Sequence, residues 1–170
     1  MSKADLKAKL LEAIGLKDLS RAGWVRAGVN NPESVAAHSW GVSWLVLTLC
    51  PDNLDRGRAL EMAVVHDLPE VYVGDITPHD GIVSEVKTER ERTAMVRLAE
   101  GHPRSEQLLS LWEEYEAGIT PEALFVKACD KLDMALQAQW YEKAQPENNL
   151  EEFVVSALNR LGDHEIAGLI

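Results

Sequence analysis

The sequence is poor in cysteine. Cys50 and Cys129 are the only two in 170 residues, set far apart in predominantly apolar stretches. That count and spacing exclude a disulfide scaffold, and both thiols are expected to be buried and reduced. Lys and Arg are outnumbered, 17 against 28 Asp and Glu, and form no run longer than two. A net charge of −11 without a basic tract argues against long nucleic acids and anionic membranes as partners, because both are held largely through cationic contacts. A small anion in a local pocket stays open, since a metal ion or an arginine reverses the field there. No apolar run approaches the roughly 20 residues of a membrane-spanning helix. Residues 1–11 are amphipathic and carry acids, unlike a secretory signal, so a cytoplasmic location is expected.

What is present is an ordinary globular composition, long enough for one domain, 1–170, with its own core. Apolar residues recur at three and four, never convincingly at two, so the expected fold is an all-α bundle of six to seven helices. The segments Ser2–Gly15, Asn31–Cys50, Asp55–Gly74, Ser84–Gly101, Arg104–Gly118, Thr120–Ala144 and Asn148–Gly162 read as helices. Thr120-Pro121-Glu122 supplies a capping hydroxyl, a proline at the first helical position and an early acid. Ser2 and Asp5 have the spacing of a capping box, and Asn31-Pro32-Glu33-Ser34 resembles a further start. Gly15, Gly74, Gly101, Gly118 and Gly162 stand where left-handed helix ends are useful. The two longer connections, 16–30 and 75–83, are candidate functional loops.

Chemistry concentrates at a few positions. His66-Asp67 closes an apolar stretch, where an Asp needs a partner or an ion. Glu70 follows at i+4 and i+3 and shares their helix face, while Pro69 removes a backbone donor and should loosen the turn. His38 and Asp130 lie within two other apolar helices. Two imidazoles and two carboxylates suit one borderline divalent metal such as Mn, Fe, Co, Ni or Zn. A ferritin-like di-iron bundle is disfavoured, because no Glu-x-x-His pair occurs.

The ordered set His38…His66-Asp67…Asp130 resembles the signature of the HD-domain phosphohydrolases. Arg21-Ala22-Gly23-Trp24, Pro32 to Ser39, His66-Asp67-Leu68-Pro69-Glu70, Gly74-Asp75-Ile76-Thr77-Pro78 and Trp112 to Glu116 are similar to their 5′-deoxynucleotidase subfamily, from about residue 16 to 165. The resemblance implies an enzyme that removes phosphate from deoxyribonucleoside 5′-monophosphates with one divalent ion, typically cobalt, manganese or copper. It implies His38, His66, Asp67 and Asp130 as metal ligands, with Asp67 and Asp130 also facing the substrate. Glu70 would activate water, Asp75 would act in catalysis and at the sugar, and Ile76, Thr77 and Pro78 would continue the substrate loop. Trp24 would line the nucleotide site.

The family's Arg-Trp pair is broken here, because Gly23 precedes Trp24, so Arg21 or Arg26 must supply the phosphate-orienting guanidinium. An indole face suits base stacking, and forked Arg donors suit phosphate. Lys87 and Arg90 read as solvated cations, Asp133 as a solvated or paired acid, and Glu114 as a possible brace behind the metal. The alternative function is a related hydrolase acting on another small phosphate ester or a nucleoside polyphosphate. Trp40, Trp44 and Trp140 are more large aromatics than a small helical core hides, which points to a homodimer.

Overall fold

The computed structural model describes residues 2–170. Helices dominate: α1 Lys3–Ile14, α2 Ala22–Arg26, α3 Val35–Leu49, α4 Arg56–Val65, α5 Glu70–Val73, α6 Ser84–Ala99, α7 Ser105–Ala117, α8 Pro121–Ala144 and α9 Glu151–Leu161. Short 3-10 turns lie at Gly15–Lys17, Pro78–Asp80 and Glu165–Leu169. Among the described residues, extended pairing is limited to one isolated antiparallel bridge between Ser20 and Ser34.

The longest helix, α8, packs against α3, α4, α7 and α9. Its start follows the expected chemistry, with the Thr120 hydroxyl accepting from the Ala123 amide and Pro121 at the first turn. Val126, Cys129, Leu132, Ala135 and Ala138 recur at threes along its length and are buried. Of these, Val126, Cys129 and Leu132 join Val42 and Val46 of α3, Met62 of α4, and Trp112 and Tyr115 of α7 in the main core. A second cluster, Trp24, Val29, Ala138, Tyr141 and Leu150, fastens α2 and the start of α9 to the far end of α8. Cys129 is buried as expected, whereas Cys50 is only half-buried, and both are free thiols.

Four expectations need correction. The stretch Asp55–Gly74 is not one helix: α4 ends at Val65 and α5 begins at Glu70. Between them the chain turns with i→i+3 bonds, from the Leu68 amide to Val65 and from the Glu70 amide to Asp67. Pro69 has no amide to continue an α-helical ladder, which accounts for the tightening. Helix α3 starts at Val35, not Asn31, because Ser34 is the capping residue and its hydroxyl accepts from the Ala37 amide. Residues 31–34 instead pair with the 19–21 segment, through the Arg21 amide to Glu33 and the Val35 amide to Leu19. Gly15 does not turn left-handed; it starts a 3-10 turn at φ −54°. Glu114 does not brace the histidines. It pairs with Arg58 and accepts from Thr120 at 2.7 Å, tying α4 and α7 to the start of α8.

Gly74 ends α5 at φ 78°, ψ 166°, a backbone region open essentially to glycine. This reversal brings the Asp75 carboxylate back against α2, where Oδ2 accepts from the Ala22 amide at 2.7 Å. Gly74→Ala is expected to cost about 1–3 kcal/mol of folding stability, read from urea denaturation midpoints. An unchanged midpoint would show that the turn relaxes without strain.

Candidate active site

Three separate pieces of chain carry the ligand-type residues. His38 lies one turn into α3 on its buried side, with Val35 and Val42. His66 and Asp67 form the turn that follows α4, and Asp130 lies mid-way along α8. The core packing of α3, α4 and α8 sets their separations.

His38 Nε2 lies 3.3 Å from Asp130 Oδ1 and 3.6 Å from Asp67 Oδ2. His66 Nε2 lies 3.3 Å from the same Asp67 oxygen. Ligand atoms of His38, His66 and Asp67 all fall within 4.8 Å of one another, and Asp130 joins them through His38. The other Asp130 oxygen accepts from Tyr115 at 3.3 Å and Lys131 at 2.9 Å. The His66 Nδ1–H donates to the Ala63 carbonyl at 2.8 Å, an acceptor that leaves only Nε2 to face Asp67.

Buried polar atoms are nearly always paired. Here His38 Nε2, His66 Nε2, Asp67 Oδ2 and Glu70 Oε2 are buried without a hydrogen-bond partner among the described residues. Two imidazole nitrogens and two carboxylate oxygens left in this way fit a borderline divalent ion. His38, His66 and Asp67, with Asp130 beside them, are the residues that could hold it.

Arg21, at the start of α2, reaches this group. Its Nη1 lies 3.6 Å from Asp67 Oδ2 and 3.6 Å from Asp75 Oδ1. Arg26 does not: it is half exposed and pairs with Glu152 at 2.6 Å. Of the two candidate guanidiniums, only Arg21 stands beside the histidines.

Trp24 departs further from expectation. It is 2% exposed, and its ring packs on Tyr141 and Phe153 at centroid distances of 5.4 and 4.2 Å. Its Nε1–H donates to Glu33 at 2.9 Å. An indole so covered offers no face on which a base could stack. In the loop after Asp75, the Thr77 amide and hydroxyl both bind Asp80, at 2.6 and 2.8 Å, while Ile76 is half-buried and Pro78 opens the 3-10 turn. Lys87 lies on α6 at 3.4 Å from the buried Glu91, so it is paired instead of simply solvated.

The residue that sequence reasoning undervalued is Asp133. Of the solvated or paired acid expected, it is the paired one, and its partner is in the site: its Oδ2 lies 2.8 Å from His38 Nδ1. The available signal was its place one turn beyond Asp130, on the same helix face.

The electrostatics follow from shared burial. Burial and Arg21 oppose a charge on His38, but Asp130, Asp133 and Asp67 outweigh them and raise its pKa to about 9. Burial likewise opposes a charge on Asp67, yet His66, His38 and Arg21 hold its carboxyl below the usual range. For Glu70 the relief from Arg21 and Lys87 does not suffice. Burial, with the Asp67 and Asp75 carboxylates, pushes it up to about 10, and a cation nearby is what such a group needs in order to ionise.

These shifts set a sign for stability. His38, raised from 6.5, contributes stability that is complete below pH 6.5 and is lost as pH rises through about 9. Glu70, an acid raised from 4.5 to about 10, acts in the same direction over a wider window, its contribution complete below pH 4.5 and lost as pH rises through about 10. Chelator-treated protein is therefore expected to unfold at lower denaturant concentration at pH 9 than at pH 6.5. A midpoint that rises with pH in the metal-free protein contradicts the charge state assigned to His38.

Comparison with known proteins agrees with this geometry. A family model described as HD domain matches residues 14–166. The 5′-deoxynucleotidase HDDC2 of Danio rerio is 37% identical over 171 residues, covering 98% of this chain and 85% of that protein. The solved structure of a conserved hypothetical protein from Pyrococcus furiosus matches with a TM-score of 0.80 at 36% identity, over 95% of this chain and 92% of that one. A predicted metal-dependent phosphohydrolase from Magnetospirillum magnetotacticum MS-1 matches with a TM-score of 0.74 at 29% identity, over 93% and 82%. Since the family model spans most of the sequence and the HDDC2 relative is similar along nearly all of it, the chain belongs to the HD-domain family.

Proposed function

We propose that this protein is a metal-dependent phosphoric monoester hydrolase that removes phosphate from deoxyribonucleoside 5′-monophosphates. One observation carries the reading: buried, unpartnered nitrogen and oxygen atoms of His38, His66, Asp67 and Glu70 lie beside the Arg21 guanidinium. The 5′-deoxynucleotidase relatives supply the substrate class.

His38, His66, Asp67 and Asp130 would hold one divalent ion, from among Co, Mn, Cu, Fe, Ni and Zn. When bound, such an ion supplies Lewis-acid neutralisation of phosphate charge. The remaining work falls to the chain. Arg21 offers forked donors to the phosphate oxygens, and Asp67 and Asp75 hold that guanidinium in place. Glu70 takes the proton of the attacking water as the new P–O bond forms. The ester P–O bond then breaks, the departing 5′-oxygen takes up a proton from solvent as Glu70 gives its own back to solvent, and phosphate and the nucleoside leave. Asp75 stands where the 75–83 loop begins, and we assign it to the sugar, with Ile76, Thr77 and Pro78 as the adjoining loop. The substrate is a small molecule, and a cytoplasmic location suits it. No helix among the described residues is long and apolar enough to cross a membrane.

Asp130→Ala is expected to lose metal and phosphate release together. Glu70→Ala is expected to keep its metal while turnover falls by about 10²–10⁴. Metal analysis and single-turnover phosphate release across deoxy- and ribonucleotides test both. Full metal occupancy in Asp130→Ala, or normal turnover in Glu70→Ala, removes the corresponding role.

The same reading includes a homodimer. Trp40 is 70% exposed, and Trp44, Leu47 and Trp140 are also exposed, on α3 and α8. Apolar surface of this kind is commonly covered by a second copy. Light scattering at micromolar concentration is expected to give about twice 18.9 kDa, and a monomeric mass overturns this assignment.

A further inference from the structure

The two histidines of the site are oriented by unlike means. His66 uses the Ala63 carbonyl, three residues back in its own chain segment. His38 instead donates its Nδ1–H to Asp133, which arrives from α8, 95 positions later. Its ring is 1% exposed, and solvent cannot supply the missing acceptor. The other nearby acid, Glu33, has ligand atoms within 4.8 Å of His38 and Asp133, but its Oε1 already accepts from the Trp24 indole.

Room for the Asp133 carboxylate exists because of a glycine. A Cβ placed on Gly41 would lie 2.1 Å from Asp133 Oδ1 and 2.9 Å from its Cγ, distances that real Cβ atoms do not show. Gly41 is buried in the middle of α3, three residues after His38, where glycine weakens a helix. It has no turn to make there. Its use is explained by the carboxylate that occupies the space a side chain would fill.

We propose that Asp133 is the positioning residue of His38, and that Gly41 is the opening in α3 that admits it. When a metal is bound and the ring is neutral, Asp133 keeps the hydrogen on Nδ1, so that the Nε2 lone pair is the one turned to the side of Asp67 and Asp130, where the ion would be held. A carboxylate behind a ligating imidazole fixes the ring and raises its basicity, and loss of such a partner typically lowers metal affinity about 10–100-fold. This rests on the reading of His38 as a metal ligand.

The test is Co²⁺ titration of chelator-treated protein, followed by visible absorption and calorimetry, with circular dichroism to establish folding. His38→Ala examines the ligand reading alone: unchanged Co²⁺ affinity and spectrum in this variant sink that reading. If His38→Ala loses affinity, the series Asp133→Asn, Asp133→Ala and Gly41→Ala examines the proposal. Asp133→Ala is expected to bind Co²⁺ about 10–100-fold more weakly. Asp133→Asn, whose amide oxygen still accepts from Nδ1–H, should recover part of the loss. Gly41→Ala should behave like Asp133→Ala although its Asp133 is intact. A purely structural Asp133 would lower stability in these variants yet leave the Co²⁺ affinity and spectrum of the folded protein as in the wild type, and that result overturns the proposal. Should Asp133→Ala not fold, wild-type Co²⁺ affinity in Gly41→Ala overturns it equally.

Discussion

The structure depends on a set of unlike charges withdrawn from water together. Removing a carboxylate or a protonated imidazole from water costs several kcal/mol in a protein interior unless the charge is answered at close range. Here Asp67 and Asp130 face His38, Asp133 stands behind that ring, and Arg21 bridges Asp67 and Asp75. Glu70 is the member whose neighbours of opposite charge do not suffice, so it is held as the acid in the metal-free chain. A cluster so balanced is sensitive to position, and it is built where position is best controlled, between α3, α4 and α8.

The hydrophobic core serves that control. Small side chains such as Ala63, Ala135 and Ala138 are fully buried, which lets helix backbones approach closely. Larger ones, Met62, Leu132 and Trp112, fill the remaining space. Where rigid helices would carry residues apart, the chain becomes irregular. Pro69 interrupts the helical ladder so that His66, Asp67 and Glu70 come from a tight turn and a new helix start. Gly74 then reverses the chain, which returns Asp75 to Arg21.

The helical reading of the sequence succeeded where local chemistry was unopposed. Thr120 and Pro121 start α8, and Ser2 with Asp5 forms the capping box of α1. It failed where one local preference met another. Asn31-Pro32-Glu33 has the residues of a helix start, but Ser34 has them too, and pairing of 31–34 with 19–21 favours the later start. Helix α3 is apolar almost all round, so periodicity could not say which side faces inward. Packing against α4 and α8 turns His38 in and leaves Trp40 and Trp44 outside.

By itself the sequence determined the helices, their principal caps and the residue types gathered near one another: His38, His66, Asp67, Glu70 and Asp130. The helices and caps follow from spacing within a segment, which the fixed rise and turn of a helix convert directly into direction, whereas His38, His66, Asp67 and Asp130 lie on three segments and were legible as one set through their resemblance to the HD signature. Only the tertiary structure decided that Arg21 and not Arg26 meets the acids, that Trp24 is enclosed by Tyr141 and Phe153, and that Asp133 reaches His38 through the space left by Gly41. Those pairings join residues up to 129 positions apart in the chain. Their distances are set by how whole helices pack, and helix packing depends on the shapes of many side chains at once, which no local spacing records.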